Sequence, residues 1–367
     1  MYKPDIHFLV SSPGGDIQAD REKWHLPLER DPAQISYRQY FHAIEDFLSH
    51  DNFDSFLKTI NQKEKEQISL KGIKEIIIRS EKHGTLYHPA SIEVLLNNKS
   101  ITFGLNVATT ETGKEWLKEE FSVLRVLYEK YRLPYLPYAY LLEERNHMVF
   151  LLEEWFESYH EFHLSQNNDG QQVLQLWEYG NGYRYLTPEQ TKEIYRQSSL
   201  IMTLYYDVSD YSQIYPWHHG GGDFIASVVQ DKISVRLSTA RRYDPFIIFQ
   251  DTANVNPSVA MAYFFLNLTM KMRLDRLDGV GEVTWADDSC VPATVNGFFD
   301  GLHLKEDYQN IRYDMLSAVQ SFSPNEMKRV FSPIVEMNER TDDHAIIVKN
   351  LDKHAELLTV TLRNYPQ

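Results

Sequence analysis

Residues 101–131 read ITFGLNVATTETGKEWLKEEFSVLRVLYEKY, and a change of period inside this stretch decides the fold. Ile101, Phe103, Leu105 and Val107 alternate with Thr102, Gly104, Asn106 and Ala108, the two-residue period of a strand with one apolar face. From Thr112 the period lengthens. Trp116, Leu117, Phe121, Leu124, Leu127, Tyr128 and Tyr131 fall at helical spacing, and Glu115, Lys118, Glu119 and Glu120 supply a wet face. The run RLPYLP at 132–137 stops the helix.

Upstream, 73–78 is an apolar β-branched run, and 91–96 is tied to the strand at 101 by the short turn NNKS. Downstream, 148–152 reads as a buried strand. The order strand, strand, strand, helix, strand with hairpin-length links predicts a small antiparallel sheet carrying one helix. Before it, 35–60 carries a helical stripe of Tyr37, Tyr40, Phe41, Ile44 and Phe47, and residues 1–70 are expected to form a helical extension.

The second half reads as more helical. Thr187-Pro188-Glu189-Gln190, Asn256-Pro257-Ser258 and Ser323-Pro324-Asn325-Glu326 each pair a cap residue with proline at the first helical position. Residues 223–229 and 232–238 form a candidate hairpin, and 345–348 and 357–362 are strand candidates. The expected class is α+β, with a small β-rich part at 71–155 and a larger, mainly helical part at 156–367.

Composition narrows the function classes. The net charge of -15 opposes broad binding to nucleic acid or anionic lipid. A single cysteine, Cys290, rules out an intramolecular disulfide and a cysteine-based zinc cluster. The first ten residues lack a signal peptide's apolar run, and no window reads as a membrane span, so a cytoplasmic location is expected.

Four constellations carry possible chemistry. PWHHGGGDFIA at 216–226 sets His218 and His219 before three glycines and Asp223 after them. Bulk-free backbone lets a ligand approach, the imidazoles relay protons, and Asp223 holds a divalent cation; the alternative is a tight turn with satisfied histidines. Arg236 and Arg241, on and beyond the next strand, have the fork geometry for phosphate, or else they pair with nearby acids. In EEWFESYHEFHLS at 153–165, His160, His163, Glu157 and Glu161 would converge as metal ligands on a helix; the alternative is a structural linker. Asp287 and Asp288 in TWADDS are adjacent carboxylates that bind Mg²⁺ or cap a helix.

The order of elements from residue 73 onward resembles the protein-kinase-like fold, especially its aminoglycoside and choline phosphotransferase branch. That resemblance implies two lobes, a small antiparallel-sheet lobe and a larger mainly helical one, hinged from Glu153. HHGGGDFIA then stands at the catalytic loop, with Asp223 in the place of the metal-binding Asn. The departures bear on activity. The glycine loop is reduced to EKHGTLYHP at 81–89, Asn106 stands where the ATP-contacting Lys is expected, and the catalytic Asp position falls near His218. The second metal-binding Asp falls near Ser238 or Thr239. Mg²⁺-ATP requires a lysine for phosphate and carboxylates for metal.

The expected function is a diverged kinase-fold protein lacking standard ATP phosphotransfer, acting as a ligand-binding or regulatory module. A small-molecule or protein ligand would sit in the inter-lobe cleft, with no nucleic acid or membrane partner. Two alternatives stand beside it. One is a small-molecule phosphotransferase with a rebuilt site: His218 or His219 as base, Asp223 on the metal, and Asn106, Arg236 and Arg241 toward the nucleotide. The other is a metal-dependent hydrolase using His218, His219, Asp223 and His160 or His163. No cofactor is specified.

Overall fold

The computed structural model describes the chain except residues 1, 13, 30, 82, 83, 85, 231, 246–254 and 367. It is an α+β protein that divides into two compact units. One holds Met1–Glu157 with Tyr179–Gly182; the other holds Ser158–Glu178 and Tyr183–Gln367.

The first unit is built on a seven-stranded sheet. Its elements are β1 (Asp5–Val10), β2 (Ile17–Gln18), α1 (Tyr37–Glu64), β3 (Ile73–Ser80), β4 (His88–Leu96), β5 (Ser100–Ala108), α2 (Glu111–Tyr131), β6 (Ala139–Arg145) and β7 (Met148–Glu154). The strand order is β2-β1-β3-β4-β5-β7-β6. The β3–β4–β5 hairpins and the helix after them lie where the periods placed them. The sheet is larger than expected, and mixed rather than antiparallel, because β1 runs parallel to β3.

That pairing corrects the expected N-terminal extension. β1 and β2 extend the sheet, and Tyr40, Phe41, Ile44 and Phe47 of α1 are buried against it with Phe103 and Phe150. The amphipathic stripe of α1 had no other apolar surface on which to close. A Ser36–Gln39 capping box starts α1, and left-handed backbone at Asp51, Asn52 and Phe53 breaks it midway. In α2, Thr110 caps the Gly113 amide, and Arg132 ends the helix in the left-handed conformation. Glu120, read as part of the wet face, is fully buried. Leu117, Glu120, Leu124 and Leu127 share one helical stripe, and it is the buried one.

The second unit begins with β8 (His160–Gln166), β9 (Gln172–Glu178), β10 (Gly182–Tyr185), α3 (Pro188–Tyr205), β11 (Ser212–Ile214), β12 (Phe224–Val229), β13 (Lys232–Leu237) and β14 (Tyr243–Pro245). It continues with α4 (Pro257–Lys271), β15 (Leu274–Arg276), β16 (Val283–Trp285), α5 (Cys290–His303), α6 (Gln309–Ser321), α7 (Pro324–Val330), α8 (Ser332–Met337) and α9 (His344–Arg363). A five-stranded sheet, β10-β9-β8-β12-β13, stands beside the helices α3–α9, more sheet than the expected hairpin.

The expected hairpin is β12–β13, with Ile225 opposite Arg236 and Ser227 opposite Ser234. Asp231 in its turn lies outside the described residues. The strand candidates at 345–348 and 357–362 are both inside α9. Ile347, Leu358 and Leu362 lie on its buried stripe, while Val348 and Val360 are exposed. Among the described residues no helix is long and apolar enough to cross a membrane.

Candidate functional site

Trp217, His218 and the Gly220–Gly222 turn lead from β11 into β12, and His218 and Asp223 are both hydrogen-bonded within the unit's own chain. Asp223 is 1% exposed. Arg241 clasps it in a fork, Nη2 to Oδ1 at 2.7 Å and Nη1 to Oδ2 at 3.0 Å, and the His218 amide donates to Oδ2 at 2.8 Å. The assignment of Asp223 as metal ligand is therefore corrected. Both of its oxygens are engaged by a guanidinium, which a cation would have to displace.

Gly220 and Gly222 make room for protein rather than for a ligand. Gly222 has φ of +70°, and a Cβ there would meet Glu161 Oε1 at 2.9 Å. A Cβ on Gly220 would meet His218 Nδ1 at 3.0 Å and the Arg276 amide nitrogen at 3.1 Å.

The two histidines are separated by the turn. His218 Nδ1 accepts from the Gly220 amide at 2.9 Å, and its Nε2 lies 3.5 Å from Asp343 Oδ1. Asp343 precedes α9 and also receives Lys271 Nζ at 3.3 Å. Burial pushes the Asp343 carboxyl up, but the His218 contact and the Lys271 charge outweigh it and hold the group down at about 2. Burial also lowers Lys271, only partly offset by Asp343.

His219 faces inward, 2% exposed, among Phe162, Tyr195, Trp217 and Phe224, with ring centroids 5.0–5.9 Å away. Neither ring nitrogen has a hydrogen-bond partner among the described residues. Burial drives its pKa down to about 4. A neutral imidazole sealed among aromatic rings is a packing residue, which corrects its assignment as a base.

The segment from Glu153 to Ser165 is strand from His160 onward, not helix. His160 and His163 therefore point to opposite faces, and the expected metal convergence fails. Glu161 and His163 share a face. His163 Nδ1 lies 3.2 Å from Asp275 Oδ1, and its Nε2 lies 3.5 Å from Glu161 Oε2. Burial alone would lower His163, but the two carboxylates raise it to about 9. Asp275 also accepts the Leu164 and Arg276 amides at 2.7 Å each, pinning β8 to β15.

The expected phosphate arginines have other work. Arg236 donates to the Val235 carbonyl at 3.0 Å and lies over the Tyr159 ring. Asp287 accepts from the Ser289 amide and hydroxyl, and Asp288 sits between Arg273 and Lys353. Asp287 thus serves the loop before α5 and Asp288 an ion pair, and among the described residues no side chain caps that helix. Cys290 is fully buried, and burial pushes its thiol up to about 12. Among the described residues no group of three or more His, Cys, Asp or Glu side chains is placed to hold a metal ion.

In the first unit, Asn106 on β5 donates from Nδ2 to Glu153 Oε1 on β7 at 2.9 Å. Glu153 is 8% exposed, and its Oε2 has no partner among the described residues. Desolvation first, then the Glu120 charge, push its carboxyl well above the usual range, against the Asn106 bond. Phosphate would meet two acids here. Lys82, His83 and Thr85 of the reduced glycine loop lie outside the described residues.

Asp343, Lys271 and Asp275 were missed, since no local motif links partners that lie 72 or more positions apart. Glu120 was findable from its place in the leucine stripe.

No protein-family model matches the chain, and no curated protein matches it. Among solved structures, it is similar to a crystal structure of a Plasmodium kinase domain, at 11% identity over 81% of this chain and 87% of that one, with a TM-score of 0.29.

Proposed function

We infer that this chain is a diverged kinase-like protein without standard ATP phosphotransfer, working as a ligand-binding or regulatory module, with the cytoplasm as its proposed location. The order of three strands, a helix and two strands from β3 to β7 supports the kinase-like part. One observation carries the functional part. The residues standing where phosphate and metal would be held are committed to the protein itself: Asn106 to the buried Glu153, and Asp223 to Arg241.

Phosphoryl transfer depends on cations around the phosphates and carboxylates around the metal. Here Asn106, in the lysine position, is bonded to Glu153, which itself feels the Glu120 charge, and the candidate metal ligand is already paired with Arg241. The alternatives, a rebuilt phosphotransferase and a metal-dependent hydrolase, both need Asp223 or His219 available, so they draw less support from this geometry.

The test is product formation. Incubated with Mg²⁺-ATP, with and without small alcohols or amines as acceptors, the protein is expected to release no ADP above the blank. Mg²⁺-dependent turnover that Asp223→Ala abolishes would overturn the inference.

A further inference from the structure

We propose that the hollow between β1, the loop at Trp24–His25 and the first turns of α1 binds a small organic anion with an aromatic body, an aryl carboxylate being the simplest case. The hollow encloses about 660 Å³, within the range of small-ligand sites. It lies wholly in the first unit and uses none of the candidate site residues discussed above.

Its floor is apolar. Phe8 and Trp24 meet edge to face at 5.4 Å, and Phe41 backs them at 5.1 and 6.0 Å. The wall is formed before any ligand arrives. The Trp24 carbonyl accepts the Arg38 amide at 2.9 Å, the Leu26 carbonyl accepts Tyr37 at 3.0 Å, and Leu28 donates to Ile35 at 2.7 Å. Three backbone bonds thus fix the aromatic loop to the start of α1, which removes an ordering cost from binding.

The rim is basic on the helix side. Glu45 is matched by Lys3 at 2.9 Å and lies 3.6 Å from His42 Nδ1. The exposed Arg38 has no side-chain partner among the described residues, and neither does His25. Asp5 also borders the hollow, but along β1 it alternates with Ile6 and Phe8, which puts its side chain on the opposite face of the strand.

One uncompensated guanidinium therefore stands beside an aromatic floor. Its fork suits a carboxylate, and Phe8 and Trp24 suit a ring. A cationic ligand would meet Lys3 and Arg38. A bare inorganic anion would leave the floor uncovered.

Titration calorimetry of the full chain tests this, with indole-3-acetate and phenylacetate as probes and tryptamine and inorganic phosphate as controls. Saturable binding of both carboxylates is expected, about ten-fold weaker or more in Arg38→Ala and less affected in Arg38→Lys. Because Arg38 is exposed and unpartnered, unliganded Arg38→Ala should melt with the parent protein. No saturable heat from either carboxylate at millimolar concentration overturns the proposal, as does unchanged affinity in Arg38→Ala. Tryptamine or phosphate binding as tightly as the carboxylates overturns the assigned ligand class.

Discussion

Replacing Arg241 by alanine strands a carboxylate inside the second unit. Asp223 is 1% exposed and, among the described residues, would keep only the His218 amide as donor. Removing one partner of a buried pair costs about 3–5 kcal/mol. The Arg241 side chain is 20% exposed, so some water reaches the vacated space, and the lower end, about 3 kcal/mol, is the better value. At about 2–4 °C per kcal/mol for a unit of this size, the melting point falls by roughly 6–12 °C. Asp223→Ala is the milder change. It leaves a part-exposed guanidinium that water can solvate, and it costs about 1–2 kcal/mol. The order of the two variants is the sharper expectation, and the double variant should recover part of the Arg241→Ala loss. Thermal melting followed by circular dichroism, with and without millimolar Mg²⁺ or Mn²⁺, reads all of this. The reasoning is refuted if Arg241→Ala melts with the parent, or if either metal raises the parent's melting point and Asp223→Ala removes that effect.

Two further outcomes follow from buried titrating groups. Burial and Glu120 raise the Glu153 carboxyl above 4.5, so folding stability should fall as pH rises from that value toward the folded pKa. Glu153→Gln removes this loss, and in urea titrations it should gain on the parent between mildly acidic and mildly alkaline pH; a variant that loses ground there contradicts the buried acid pair. His219 is depressed from 6.5 to about 4, so its contribution is whole above the upper value and is lost as pH falls toward the lower one. His219→Phe should fold at neutral pH with stability within about 1.5 kcal/mol of the parent, and should flatten the acid limb of the stability profile. An unchanged acid limb would show that this ring is not the titrating group.

The strand at 101–108, α2 and the β12–β13 hairpin were legible because apolar residues recur in them at a fixed period, and 73–78 from its β-branched run. α3, α4 and α7 were legible from their cap residues. β8 was not: Phe162, His163, Leu164 and Ser165 are all buried, so both faces are covered and the alternation disappears. α9 was misread because Ala345-Ile346-Ile347-Val348 is β-branched, while helix packing recruits only Ile347 of that run. β1 was invisible because its partner is β3, more than sixty residues away and parallel, with no hairpin signal between them. The glycine turn was singled out correctly as unusual, but sequence cannot separate backbone cleared for a ligand from backbone cleared for Glu161 and Arg276. Arg241 illustrates the same limit: its pairing with an acid was foreseen as an alternative to phosphate, yet the acid turned out to be the proposed metal ligand itself.

Direct titration of Mg²⁺-ATP into the full chain, followed by calorimetry, probes the phosphate-holding capacity without requiring chemistry. With Asn106 bonded to Glu153 and Asp223 held by Arg241, no saturable heat is expected at millimolar nucleotide. Micromolar binding that requires Mg²⁺ and is lost in Asp223→Ala would contradict the assignment of these side chains to the protein's own structure.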